Sequence, residues 1–147
     1  MSKLKMAVTG LAVLALASCA TYKDNMPSWM PGSSALSVTL SPGEEVPPAT
    51  SSASGSGSIR VAEDGSVSGS VTTTGVQGTM AHIHQGAKGA NGPVIVPLTK
   101  SGDTYTVPAG AKLNESQMQA LRAGNLYVNV HSDKYKGGEI RGQLNSK

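Results

Sequence analysis

The chain has 147 residues, a formal charge of +3, four Tyr, one Trp and no Phe. Two of the basic residues, Lys3 and Lys5, sit in a stretch that reads as a removable leader. Without it, ten basic side chains face nine acidic ones, a formal charge of +1. So neutral a domain has no electrostatic footprint for nucleic acid, and so few rings give bases no platform to stack on.

Met1 to Met6 is basic, and Ala7 to Ala17 is apolar apart from Thr9 and Gly10. A positive start, a short apolar middle and small residues at a cut site make an export signal. The run falls short of the roughly 20 residues of a membrane span. Leu16-Ala17-Ser18-Cys19 fits the box in which a cysteine is acylated and becomes the first residue of a lipoprotein. Residues 1–18 are therefore read as signal peptide and Cys19 as the lipidation site, which attaches the chain to a membrane. Cys19 is the only cysteine, so no disulfide forms within the chain. Ala20, where Asp would direct inner-membrane retention, favours the outer membrane, facing the periplasm or the cell surface. Residues 19–34, with Pro27, Pro31 and Gly32, read as a tether, and residues 35–147 as one domain.

Within that domain short strands follow one another. Leu36, Val38 and Leu40 alternate with Ser and Thr, and Ile59 and Val61 alternate with Ser58 and Arg60. Glu63-Asp64-Gly65 reads as a hairpin turn before Val67, Val71 and the run Thr72 to Thr74. Met80 to His84, Val94 to Leu98, Tyr105 to Val107, Leu126 to His131 and Glu139 to Leu144 complete the series. Short β-branched strands separated by Gly and Ser predict an all-β, antiparallel sandwich or barrel. One helix interrupts it. Asn114 caps, Gln117 completes a capping box, Met118 and Leu121 (with Leu113) form an apolar stripe, and Gly124 stops it after two to three turns.

The chain has three histidines. Strand side chains alternate faces, so His82 and His84 point one way and Ile83 points to the core. Met80 shares the face of the two histidines. In the later strand Leu126, Val128 and Val130 form the apolar face, which leaves Tyr127, Asn129 and His131 on the other. If the two strands are neighbours, three imidazoles meet outside the sandwich, on its surface. Neutral imidazole suits copper, zinc and nickel, whereas an isolated exposed histidine is merely solvated. Glu44 and Glu45 point apart on an extended segment and make no acid/base pair; Glu45 reads as a structural acceptor of backbone or arginine bonds. The glycines from Gly86 to Gly92 lack the strand-to-helix context of a phosphate loop, which excludes nucleotide, and no Gly-x-Ser-x-Gly elbow is present.

The segments Glu45-Val46-Pro47-Pro48, Ala81-His82-Ile83-His84-Gln85-Gly86 and Asn91-Gly92-Pro93-Val94 resemble the CHRD domain, named after chordin. So do Leu121 to His131 and Gly137-Gly138-Glu139-Ile140-Arg141-Gly142-Gln143-Leu144, so that the resemblance runs from about Leu36 to Leu144. That domain is in turn distantly similar to the copper/zinc superoxide dismutases, where an H-x-H strand and a later His bind copper outside a Greek-key barrel. The resemblance implies that His82, His84 and His131 hold one copper ion and that Arg141 matches an anion-guiding Arg. No bridging histidine, zinc loop or cysteine pair is present, which puts a zinc site and full dismutase activity in doubt. Met80 would add a thioether, which favours Cu(I); the alternative is a rim-packed Met. Tyr127 and Asn129 would orient His131, or are ordinary strand surface.

Three functions fit this reading. The first is a copper-binding module of the cell envelope that buffers, stores or transfers copper, with at most weak redox activity. The second is an adhesion or scaffold domain with an envelope protein partner and no metal. The third is a copper-only superoxide dismutase.

Overall fold

Alternation of small hydroxylated residues with aliphatic ones sets the first strands of the fold. β1 (Ala35–Leu40), β2 (Ser54–Val61) and β3 (Val67–Thr74) send Val38, Leu40, Ile59 and Val71 inward and most of their Ser and Thr outward, with Thr73 buried. The computed structural model describes residues 35–145. The leader, Cys19 and the tether lie outside the described residues.

The turn between β2 and β3 is closed by Ala62 donating to the Ser66 carbonyl at 2.8 Å, with Gly65 at φ 86°. Such a positive φ suits glycine. The chain continues through β4 (Gly78–Gln85), β5 (Val94–Pro97), β6 (Thr99–Ser101) and β7 (Thr104–Thr106). It ends with helix α1 (Glu115–Arg122), β8 (Leu126–Ser132) and β9 (Ile140–Leu144). The strands form two antiparallel sheets, ordered β1-β2-β3-β7-β6 and β5-β4-β8-β9. This is the all-β sandwich with one short helix that the sequence predicts.

The sheets meet at both edges. At one edge Ser41 and Arg141 exchange backbone hydrogen bonds of 3.0 and 3.1 Å. Gly142 makes that seam possible, because a Cβ there would stand 2.3 Å from the Thr39 carbonyl oxygen. At the other edge the chain itself crosses between sheets at Leu98, whose N–H donates to Ala81. The sequence pattern ran β5 on through Leu98 and gave no sign of β6. Thr99, Lys100 and Ser101 are all exposed, so the short edge strand has no alternation to read. Between the sheets lie Leu40, Ile59, Val71, Ile83, Tyr105, Val128, Val130, Ile140 and Leu144, each at most 1% exposed. Each such side chain contributes on the order of 1.5–3 kcal/mol by leaving water.

Helix α1 follows the sequence closely. Asn114 and Gln117 exchange side-chain and backbone bonds at 2.9 Å, a reciprocal capping box. Gly124 at φ 72° ends it, and Leu121 and Leu113 are buried. Eight residues make a little over two turns.

Candidate metal centre

β4 and β8 are direct neighbours, with Met80 opposite His131, His82 opposite Asn129 and His84 opposite Tyr127. This register brings the three histidines to one face. One ring nitrogen from each of His82, His84 and His131 lies within 4.8 Å of the others. Two imidazoles on one ion at 2.0–2.1 Å stand at most about 4.2 Å apart. The widest pair therefore has to close by about half an ångström, within the reach of a side-chain torsion. His82 Nδ1 and His131 Nε2 are already 3.1 Å apart.

Backbone carbonyls fix which nitrogens are available. A carbonyl only accepts, so His84 Nδ1–H donates to Gly92 at 2.9 Å and His131 Nδ1–H donates to Lys136 at 2.8 Å. Each ring is then left with a bare Nε2 lone pair. His82 Nδ1–H donates to the bare Nε2 of His131. His84 Nε2 is buried and has no hydrogen-bond partner among the described residues. Burial, helped by the neighbouring imidazoles, pushes His82 down to a pKa of about 4. Burial also lowers that of His84, against its bond to Gly92. Both rings are neutral at ordinary pH, the form that binds a metal.

The site is not on an open surface, contrary to the sequence reading. Every residue of β8 is buried on both faces: Asn129 is 2% exposed, His84 7% and His131 8%. Loops 42–53, 86–93 and 133–139 cover the outer face of the sheet. Asn91 Nδ2 donates to the Val46 carbonyl at 2.7 Å, and Ser51 donates to Glu139 at 2.6 Å. Tyr135 hydrogen-bonds the Thr50 carbonyl. Only His82 is partly exposed, with Met80 beside it at 50% exposure. Met80 thus stands at the open side of the cluster, and no contact places its sulfur among the ligand nitrogens.

Tyr127 and Asn129 serve His84, not His131 as expected. The cross-strand register sets Tyr127 opposite His84 and Asn129 opposite His82, one pair along. The Tyr127 ring stacks on His84 with 4.8 Å between centroids and 4° between planes. Asn129 lies against the same imidazole, while His131 is oriented by a main-chain carbonyl.

Arg141 also departs from expectation. It is 1% exposed, and its guanidinium lies 3.4 Å from the Tyr127 ring centroid. It donates to the Ala87 carbonyl at 2.9 Å, to Gln143 at 3.3 Å and to Asn91 at 3.4 Å. Buried and tied to these partners, the guanidinium does not face solvent to guide an anion, and Arg141 holds loop 86–93 in place instead. Glu45, 3% exposed, feels the charge of Arg141 and accepts bonds from the Val46 N–H and from Asn129. Burial outweighs these and lifts its pKa to about 7. Glu44 is apart from it, ion-paired with Lys88 at 3.1 Å. The carbonyls of Gly92 and Lys136 were missed in the sequence because any residue has a carbonyl; only the fold tells which one meets a ring.

An antiparallel β-sandwich with three imidazoles converging beneath loops defines a β-domain built around a metal-compatible histidine cluster. The chain belongs to the CHRD domain family, whose profile matches residues 36–144. No curated protein and no solved structure matches it.

Proposed function

We propose that this chain is a copper-binding module of the cell envelope, held to the outer membrane by lipid on Cys19 and buffering, storing or handing over one copper ion. The observation that supports this best is the donor set. Three imidazoles offer one nitrogen each within 4.8 Å, two of them with tautomers set by backbone carbonyls. An imidazole set without thiolates or carboxylates suits Cu(II), and the thioether of Met80 at the mouth suits Cu(I) on its way in or out. The ion would supply a redox-active centre, but buried Arg141 offers no guiding charge for superoxide. Binding and transfer therefore fit this chain better than dismutation. The order of motifs that resembles the dismutases is consistent with copper rather than zinc.

The test is a titration of the full chain with Cu(II) and Cu(I), followed by calorimetry and electron paramagnetic resonance. One tight equivalent with nitrogen hyperfine structure, lost in His131→Ala while the fold survives, is expected. Binding no tighter than that of a single exposed histidine would refute the reading and turn attention to a protein partner.

A further inference from the structure

We infer that Asn129 supplies an oxygen ligand beside the three imidazoles, making a set of three nitrogens and one oxygen, with Glu45 aiming the oxygen. This rests on the metal-binding reading above.

Three buried side-chain atoms have no hydrogen-bond partner among the described residues: His84 Nε2, Asn129 Oδ1 and Glu45 Oε1. They belong to one cluster, since Asn129 touches both His84 and Glu45. Leaving a buried acceptor without a donor costs about 1–3 kcal/mol each, so their gathering at one place calls for a cause.

The orientation of the Asn129 amide follows from its neighbours. Its Nδ2 faces the Gly137 carbonyl at 3.5 Å and the Glu45 carboxyl, both of which accept. Reversing the amide would set oxygen against oxygen on that side. Oδ1 is therefore turned the other way, toward the His84 ring. Yet His84 Nε2 carries no proton, because Nδ1–H is committed to Gly92. Two lone pairs face each other, and a cation resolves that opposition. A metal ion held by the histidines satisfies both atoms at once.

Glu45 has its own constraint. Gly138, at φ 132°, is seated so closely that a Cβ would stand 2.3 Å from Glu45 Oε1. The glycine lets loop 133–139 press the carboxyl against Asn129. Glu45 is thus a positioning residue and Asn129 the ligand. An amide oxygen is a harder donor than imidazole and favours Cu(II) over Cu(I).

The test compares the wild-type full chain with Asn129→Leu and Asn129→Asp, each titrated with Cu(II) and Cu(I). In Asn129→Leu, Cu(II) affinity should fall about tenfold or more, Cu(I) affinity should hold, and the parallel copper hyperfine coupling should change. A tenfold loss confined to Cu(II) raises the one-electron potential by about 59 mV. Asn129→Asp, which keeps the oxygen, should retain Cu(II) binding. Unchanged spectrum and affinity in Asn129→Leu, beside a wild type that binds copper, would overturn this inference alone. A wild type that binds no copper would instead overturn the metal reading. If Asn129→Leu does not fold, pulsed resonance of the wild type in D2O decides. Deuterium coupling from an equatorial water would place water where Asn129 is assigned, and its absence would support the amide oxygen.

Discussion

Replacing Glu45 with Gln isolates the energy stored in one buried carboxyl. Glu45 is 3% exposed, and burial lifts its pKa from 4.5 to about 7, with Arg141, the Val46 amide and Asn129 pulling it part of the way back. The unfolded chain ionises this group near 4.5, the folded chain near 7. Between those values the folded state holds a proton that the unfolded state has lost. Stability from this group is therefore present in full below pH 4.5, falls as pH rises, and is gone above 7. At about 1.4 kcal/mol per pH unit, the gap amounts to about 3 kcal/mol at most.

His82 works in the opposite sense. Its pKa is about 4 when folded and 6.5 by default, so stability from it rises with pH across that window. The two slopes overlap and partly cancel in the wild type. The informative quantity is the difference between wild type and Glu45→Gln, measured by urea unfolding of metal-free protein from pH 4.5 to 8.5. Gln keeps the shape and an oxygen for Asn129 but cannot ionise. The variant should gain on the wild type with rising pH, by up to about 3 kcal/mol, and the gain should level off above pH 7. Loss of the partner charge for Arg141 adds an offset at high pH but no gain. A difference that stays flat over the whole range would refute the argument.

Gly138→Ala should destabilise the domain by about 2 kcal/mol or more, from a Cβ against the Glu45 carboxyl and a backbone at φ 132°. For a domain of this length that lowers Tm by about 10 °C, and an unchanged melting curve would disprove the close seating. Arg141→Met keeps the stem but deletes the bonds to Ala87, Asn91 and Gln143 and leaves Glu45 without its cation. About 3 kcal/mol should be lost in urea unfolding; a loss within error of zero would contradict the anchoring role. In the copper-loaded chain, acid should release the metal with a midpoint below pH 6, because burial makes His82 and His84 poor competitors for protons. Release centred at pH 6.5, read by loss of the copper resonance signal, would show ordinary exposed histidines.

The sheet pattern was legible because Val38, Leu40, Ile59, Ile83 and Val128 fall at strand periodicity and all turned out to be core. The helix was legible because Asn114, Gln117 and Gly124 act on the backbone within a few residues of themselves. The histidine face was legible for the same local reason: parity along a strand is set by covalent geometry. Two facts were not local. The neighbourhood of β4 and β8 depends on sheet order, which joins residues 49 positions apart in sequence at His82 and His131. The covering of the outer face depends on loops, and polar residues such as Asn129 and His131 read as solvent-facing to any pattern based on hydropathy.

That covering gives the family motifs a common physical sense. Glu45 to Pro48, Asn91 to Pro93 and Gly137 to Glu139 fall in the loops that close over the outer face of β4, β8 and β9. A polar face put under such a lid must find a partner for each donor and acceptor. The partners are specific: Gly92 for His84, Lys136 for His131, Ala87 for Arg141, and Gly86 for Gln143. A lid that served only to exclude water would have been cheaper to build over aliphatic side chains. Among the described residues the unmatched atoms that remain are His84 Nε2, Asn129 Oδ1 and Glu45 Oε1. Bare lone pairs gathered on His84 and Asn129 are compatible with a cation site, the reading proposed above.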